Sequence, residues 1–300
     1  MTKFSFYLNN HPTGSLVTIG DILQPIAAGL AEAGHSVQYE NRFFYNRPVV
    51  NLIVEFFVDS VFVESLLERK RSLGPDFIFG VLVTEDIEDR AVMDNPSFPG
   101  RLDNLRRVLE VADFVWSLVP VGAYARFVPD PARVAFLRLG YVHALADKRR
   151  PGGQDIDVLI YGLIVPRRDQ AMAELAKRGW TVRSTLGVMP DYIRIDMLRR
   201  AKLVLDVRRA EWVRFNSPSR IVAAIHAGVA VASERLDAGE LGYLFAFTDA
   251  HPYEELIEAC DRRLKDDPIG FGIDAQRRFR REAPMRAFLR APLTVAGLSG

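Results

Sequence analysis

The chain has 300 residues, of which 49% are hydrophobic and 26% are charged, and its formal net charge at pH 7 is +1. This composition excludes a disordered or fibrous protein, and the near-neutral charge gives no bulk electrostatic support for a nucleic-acid partner. A chain of this length exceeds the usual size of a single domain, so we expect two domains.

Strands are predicted in the first segment of the chain and in its most apolar segment. Residues 1–14 pass from a short apolar stretch directly into polar turn residues, which predicts a strand rather than a signal peptide. Residues 49–67 are strongly apolar but contain three acidic residues, the first of them Glu55, so we expect a strand and a helix rather than a transmembrane span. With its single cysteine, Cys260, the chain is expected to be cytoplasmic.

Strands and helices alternate through the first half of the chain. The predicted strands lie at 4–8, 36–39, 76–83, 113–119 and 133–140, and the predicted helices at 19–32 and 102–112. Continuous apolar strands between amphipathic helices are typical of a parallel sheet that is covered on both faces.

A polar linker at 146–155 interrupts this pattern, which then starts again. Strands are predicted at 157–162, 181–187, 202–208 and 229–233, and helices at 168–179, 191–201, 218–227, 252–266 and 274–289. The predicted fold class is therefore α/β, with two tandem Rossmann-like domains, 1–145 and 156–272. A ligand is expected in an interdomain cleft that faces the carboxyl ends of the strands.

An arginine at the start of one predicted helix raises the question of a ligand. In the segment FNSPSRIVAAIHAG, Ser217 is the predicted N-cap, Pro218 the first helical residue and Gly228 the terminator. The start of a helix is positive, so the cation of Arg220 is mildly unfavourable there. An anionic ligand would remove this conflict.

The same conflict recurs at LIVPRRDQ, where Arg167 and Arg168 follow Pro166 at another predicted helix start. Because the carboxyl ends of parallel strands share one edge of a sheet, these arginines are expected to converge with Arg220 and with the Arg208–Arg209 pair. Helix starts and guanidinium groups both bind phosphate, so we predict a phosphate site. The alternative is that the arginines are solvated surface residues.

These segments resemble the donor-binding half of GT-B glycosyltransferases, especially the bacterial group related to spore-maturation glycosyltransferase-like proteins. The similarity lies in a strand that ends in Gly162 before an arginine-bearing turn, and in a later segment that joins Arg220, the glycine turn at Gly228 and the pair Ser233–Glu234. The stretch AEAGHSV in the first half is similar to the acceptor half of the same fold.

The resemblance implies a GT-B-like fold whose last helix, in 273–300, packs back toward the first domain. It also implies a nucleoside diphosphate sugar as donor, an unidentified acceptor, and transfer without a metal or another cofactor. The predicted ligands of the donor phosphates or nucleotide are Gly162, Arg167, Arg168, Arg208, Asn216, Ser217, Ser219, Arg220 and Glu234.

The chain departs from the family pattern at one position. Many retaining members carry a glutamate that contacts the donor ribose where this sequence has Ala223. Either Glu234 takes a similar role or the site is degenerate. The sequence also lacks a DxD motif in a suitable loop and a pair of histidines with metal-binding spacing.

An inverting enzyme needs a base from the first half, and the candidates are His11 and Glu85, the latter followed by Asp86. The alternative is that each is a cap or turn residue. Trp212, in the loop before the helix of Arg220, is a candidate for stacking on a base or a sugar.

Three functions fit these residues. The first is glycosyl transfer from a nucleotide sugar, and the second is a catalytically degenerate GT-B-like binding or scaffold protein. The third, a nucleotide-sugar epimerase, is disfavoured because no G-x-G-x-x-G follows the first strand of either half.

Overall fold

The computed structural model describes residues 1–8, 16–89, 93, 95–146, 153–160, 162, 164–185, 189–236 and 239–298, excluding the side chains of 16–18 and 123. The chain divides into two compact units. Unit 1 comprises Met1–Leu16, Ile26–Arg138 and Arg286–Gly300, and unit 2 comprises Val17–Pro25 and Leu139–Met285. The domain limits inferred from the sequence stay predictions.

The strands alternate with helices along most of the chain. In chain order the strands are β1 (Lys3–Tyr7), β2 (Ser36–Glu40), β3 (Val49–Val54), β4 (Ile78–Val83), β5 (Phe114–Ser117), β6 (Val134–Phe136), β7 (Ile156–Ile160), β8 (Val182–Ser184), β9 (Ala201–Asp206), β10 (Ala230–Glu234) and β11 (Asp249–His251).

The helices in chain order are α1 (Leu16–Glu32), α2 (Ser60–Leu73), α3 (Arg101–Val111), α4 (Gly122–Ala125), α5 (Pro166–Lys177), α6 (Asp191–Arg200), α7 (Pro218–His226), α8 (Tyr253–Lys265), α9 (Pro268–Glu282), α10 (Met285–Phe288) and α11 (Arg290–Val295). Among the described residues, no helix is both long and apolar enough to cross a membrane.

Unit 1 contains a six-stranded sheet in the order β2-β1-β3-β4-β5-β6, and all of its neighbouring strands are parallel. Every residue of β3 is buried, which explains why all of its residues except Asn51 are apolar. The strand and helix predicted for 49–67 are present as β3 and α2.

Unit 2 contains a five-stranded parallel sheet in the order β11-β10-β9-β7-β8. The winding of the chain therefore reverses between β7, the first strand of this sheet, and β9, the third. In doubly wound sheets, ligands bind outside the carboxyl ends of the strands at such a switch point. The topology thus marks the loops after β7 and β9.

The helix that carries Arg220 begins at the predicted residue and ends one residue before the predicted end. α7 starts at Pro218 after the N-cap Ser217, and Gly228 follows its end with a φ of 65°. Glycine adopts this left-handed conformation without the steric cost that other residues meet. The Ser217 side chain makes no capping hydrogen bond.

The single helix predicted for 274–289 is wrong. α9 ends at Glu282 and α10 begins at Met285, because Pro284 has no N–H to continue the helical pattern. The chain instead pairs with Tyr141, whose N–H donates to the Ala283 carbonyl at 2.7 Å and whose carbonyl accepts from the Met285 N–H at 2.9 Å.

Candidate functional site

The candidate site lies in unit 2, at the switch point between β7 and β9. Gly162 follows β7 with a φ of 108°, a backbone conformation that residues other than glycine rarely adopt. Its N–H donates to Thr185 Oγ1 at 3.0 Å, which fixes the turn. Asp206 is the last residue of β9 and is 2% exposed.

Two guanidinium groups approach Gly162. A Cβ atom built on this glycine would lie 3.3 Å from Arg168 Nη1 and 3.4 Å from Arg220 Nη1. Arg168 comes from the first turn of α5 and Arg220 from the first turn of α7, so two helix starts point their positive ends and their cations at one place.

Arg168 is almost fully buried in this cluster. Its Nε donates to the Val207 carbonyl at 2.9 Å. Burial, reinforced by the positive charges of Arg220 and Arg209 and opposed by Asp206, lowers the pKa of Arg168 to about 10. The group therefore stays charged at neutral pH, and its lowered pKa reflects its burial first and the neighbouring positive charges second.

Asp206 provides a protein carboxylate beside this cluster. Its Oδ1 lies 3.5 Å from Arg220 Nη1, and burial raises its pKa, although Arg220 and Arg168 act in the opposite direction. Among the described atoms, Asp206 Oδ2 is buried without a hydrogen-bond partner. Asp206 therefore compensates part of the charge of Arg220 within the protein, and the anionic ligand expected from the sequence stays a prediction.

Sequence reasoning missed Asp206, although a signal for it was present. In KLVLDVR an aspartate closes an apolar strand, and its position places the carboxylate at the carboxyl edge of a parallel sheet. The strand was predicted to continue to residue 208, but it ends at Asp206.

Glu234, at the end of β10, is enclosed by two arginines. Its side chain is 1% exposed, and its Oε1 accepts from Arg167 Nη2 at 2.6 Å and from Arg208 Nη2 at 2.7 Å. The guanidinium of Arg167 also lies 3.6 Å above the ring centre of Tyr253. Glu234 thus has an internal partner for each oxygen, since its Oε2 accepts from the Arg208 backbone N–H at 3.1 Å.

The polar residues before and within the first turn of α7 also have protein partners. Asn216 Nδ2 donates to the Glu234 carbonyl at 2.8 Å, and Ser217 Oγ lies 3.1 Å from Ser219 Oγ. Ser219 Oγ donates to Asp21 Oδ2 at 3.1 Å. Burial raises the pKa of Asp21, which Arg194 opposes.

The predicted ligands of unit 2 therefore do converge, and positive charge predominates among them. The cluster holds two buried carboxylates, Asp206 and Glu234, and five arginines: Arg167, Arg168, Arg208, Arg209 and Arg220. Within the described part of the chain, no group of three or more His, Cys, Asp or Glu side chains is placed to hold a metal ion. The arrangement suits a multiply charged anion.

The predicted base Glu85 belongs to unit 1. His11 lies outside the described residues, and Glu85 follows β4, where its carbonyl accepts a hydrogen bond from the Tyr124 hydroxyl. Asp86 accepts a hydrogen bond from the Glu88 N–H at 3.0 Å, as expected of a turn residue, which was the alternative to a role as base.

Sequence reasoning used Glu55 only as an argument against a membrane span. Glu55 directly follows β3, next to the switch point of the first sheet, and it is 1% exposed. Its carboxylate accepts from the Thr84 N–H at 3.0 Å and from Thr84 Oγ1 at 2.8 Å. Burial raises the pKa of Glu55 to about 7, against the opposing charge of Arg101.

No protein-family model matches the chain, and no curated protein matches it either. Solved structures do match. A point mutant of T4 phage BGT in complex with UDP-glucose is 11% identical with a TM-score of 0.59, covering 98% of this chain and 99% of that chain. The apo structure of OtsA is 9% identical with a TM-score of 0.55, covering 100% of this chain and 99% of that chain.

The N-terminal domain of trehalose-6-phosphate phosphatase from Candida albicans is 7% identical with a TM-score of 0.58, covering 100% of this chain and 97% of that chain. At these identities the likeness shows the fold alone. The predicted fold class is confirmed: the chain is α/β, with two parallel sheets that match GT-B glycosyltransferase structures. The spore-maturation-like group and the interdomain cleft stay predictions.

Proposed function

We propose that the protein is a glycosyltransferase that takes a sugar from a nucleoside diphosphate sugar and passes it to an acceptor hydroxyl without a metal ion. The observation that carries this proposal is the approach of Arg168 and Arg220 to Gly162 at the switch point of the second sheet. Two cations and two helix starts at one turn favour the binding of a diphosphate.

In this reaction the acceptor oxygen attacks the anomeric carbon, the carbon–oxygen bond to the diphosphate breaks, and the diphosphate leaves with the bonding electrons. Arg168 and Arg220 stabilise the negative charge that develops on it, a role for which other enzymes use a metal ion. His11 and Glu85 are the proposed bases for the acceptor proton. The matching structure that contains UDP-glucose supports a nucleotide-sugar donor.

Calorimetric titration with UDP, ADP, GDP, CDP and dTDP tests the donor site. We expect at least one of them to bind, and Arg220→Ala to weaken that binding by roughly one to two decades, the effect of losing one charge-assisted contact. Arg262→Ala is the matched control, because it removes an exposed arginine from α8. Failure of all five nucleotides to bind would remove the proposal.

Release of the nucleoside diphosphate from the corresponding nucleotide sugar then tests turnover. Ala223, which replaces the glutamate found in many retaining members, favours a second candidate: a binding or scaffold protein without turnover. Nucleotide binding with no release of diphosphate in the presence of candidate acceptors would support that second function.

A further inference from the structure

Trp212 is an exposed aromatic residue beside the arginine cluster. Its side chain is 67% exposed, whereas Trp116 is buried and Trp180 is half-buried. Trp212 lies in the loop that connects Asp206 at the end of β9 to α7. Trp212 is six positions after Asp206 in the chain, so the loop keeps it within about 20 Å of that residue.

Arg208 fastens the main chain on both sides of Trp212. Its Nη1 donates to the Glu211 carbonyl at 2.8 Å and to the Val213 carbonyl at 3.0 Å. These carbonyls belong to the residues immediately before and after Trp212. The backbone at Trp212 is therefore held while its indole remains exposed.

Arg208 is itself anchored by the buried carboxylate of Glu234. Its Nε donates to Glu234 Oε1 at 2.9 Å and its Nη2 donates to the same oxygen at 2.7 Å. A guanidinium group has five N–H donors, and these contacts together with the two loop carbonyls use four of them. At most one donor is left for a phosphate, so the geometry assigns Arg208 to the loop rather than to the ligand.

We propose that Trp212 is a stacking platform for the heteroaromatic base of a nucleoside diphosphate whose phosphates lie at Arg168 and Arg220. Arg208 is the positioning residue of this platform and acts through Trp212. This inference rests on the proposed function and adds the part of the donor that the arginines do not address.

The physical reason for this proposal is that the arginines and the indole of Trp212 recognise different parts of a nucleotide. The guanidinium groups of Arg168 and Arg220 supply the N–H donors and the charge that phosphate oxygens need, whereas an indole face stacks on any base. A loop that is tied down by a buried ion pair presents this face at a low cost in conformational entropy. An exposed indole held in this way is suited to a planar ligand.

The experiment compares binding of the tightest of the five nucleoside diphosphates with binding of pyrophosphate, which has no base. We expect Trp212→Ala to weaken nucleotide binding by about 5- to 150-fold and to change pyrophosphate binding by less than about twofold. Trp212→Phe should recover most of the lost affinity. Quenching of tryptophan fluorescence by the nucleotide should disappear in Trp212→Ala.

Arg208→Lys tests the positioning role, because lysine keeps the charge beside Glu234 but lacks the fork that holds two carbonyls. We expect it to weaken nucleotide binding and to spare pyrophosphate binding. In a double-mutant cycle, Arg208→Lys combined with Trp212→Ala should bind the nucleotide no more weakly than Trp212→Ala alone.

Each other outcome overturns the inference. If Trp212→Ala binds the nucleotide as the parent does, there is no stacking platform, although the proposed donor site stands. If it weakens pyrophosphate binding as much as nucleotide binding, Trp212 acts through the fold of the loop. If the parent binds neither ligand, the proposed function fails and this inference fails with it.

Discussion

Arg208 donates three hydrogen bonds to the carboxylate of Glu234, from its backbone N–H at 3.1 Å, its Nε at 2.9 Å and its Nη2 at 2.7 Å. The contact joins the loop after β9 to the end of β10, two neighbouring strands of the second sheet. Both residues were predicted as donor ligands, and the structure gives each a partner within the protein. The pair therefore shapes the carboxyl edge on which the candidate site is built.

Replacing Glu234 with glutamine should destabilise the protein substantially. The carboxylate is 1% exposed, and its removal leaves Arg167 and Arg208, which are 11% and 18% exposed, without their counter-charge. Breaking a buried ion pair from one side costs about 3–5 kcal/mol, and the partial exposure of the arginines places the expected loss near the lower limit. Urea unfolding followed by circular dichroism measures it.

Glu254→Gln is the control for this variant, because Glu254 is exposed and lies in the first turn of α8. We expect a change within about 0.5 kcal/mol for the control. An unfolding free energy of Glu234→Gln equal to that of the control would show that the arginines do not depend on Glu234.

Gly162→Ala should reduce anion binding as well as stability. The φ of 108° strains any residue with a Cβ, and the new methyl group would meet Arg168 Nη1 at 3.3 Å and Arg220 Nη1 at 3.4 Å. The backbone strain costs about 1–3 kcal/mol, and the crowding displaces the two guanidinium groups from their positions. Calorimetry with pyrophosphate, together with thermal unfolding, measures both effects.

Gly179→Ala separates the two causes. Gly179 has a φ of 90° with no atom within 4 Å of the added Cβ, so the control carries backbone strain without crowding. We expect it to lose stability and to keep its affinity for pyrophosphate. Equal pyrophosphate affinities for the two variants would place the anion away from Gly162.

Much of the architecture can be read from the sequence, because the apolar runs of β1, β4, β7 and β10 are long and are bounded by turn residues. Short elements escape this reasoning. β11, at Asp249–His251, has too few residues to show a period, and the 3-10 helix at Gly239–Phe247 does not follow the period of an α-helix or of a strand; neither was predicted. Their positions are set by tertiary packing rather than by local pattern.

The sequence predicts which arginines form the candidate site, but it does not predict which carboxylate each arginine contacts. The positions of Arg168 and Arg220 after parallel strands place them at one sheet edge, as expected. Which carboxylate each arginine contacts depends on the orientation of the side chains, as with Arg208 and Glu234, which are 26 residues apart in the chain. Sequence spacing has no information on that choice.

His226 should make stability fall as the pH falls from about 6.5 toward 4. Burial lowers its pKa to about 4, and the neutral ring accepts from the Val142 N–H at 2.9 Å through Nε2 and donates from Nδ1 to the Val222 carbonyl. Below pH 6.5 the unfolded chain binds a proton that the folded chain does not, so stability is present above 6.5 and is lost through this window.

The expected loss from this group between pH 7.5 and pH 5 is about 2 kcal/mol. Urea unfolding at both pH values, for the parent and for His226→Gln, isolates it, since all other titrating groups are common to the two proteins. His143→Gln, at an exposed histidine, should keep the pH dependence of the parent. The same pH dependence in His226→Gln and the parent would contradict the prediction.

We expect Asp206 to compete with an anionic ligand for the arginines at Gly162. Its Oδ1 lies 3.5 Å from Arg220 Nη1, and its charge also acts on Arg168. The carboxylate lowers the positive potential at the place where we propose that phosphates bind. An asparagine of nearly the same shape removes this charge and leaves the backbone of β9 unchanged.

We therefore expect Asp206→Asn to bind pyrophosphate about fivefold or more tightly than the parent, because a unit charge within several ångströms of a multiply charged anion is worth on the order of 1–2 kcal/mol near a protein surface. Folding should suffer, since Arg168 and Arg220 then repel each other without compensation. Asp155→Asn changes the net charge equally at the amino edge of the same sheet, where the carboxylate bonds to Arg200, and should leave pyrophosphate binding unchanged.

Calorimetry at two salt concentrations distinguishes a local effect from a diffuse one, because salt screens the diffuse part more strongly. Unchanged or weaker pyrophosphate binding by Asp206→Asn would mean that the anion does not bind beside Asp206, and would remove the switch point of the second sheet as the donor site.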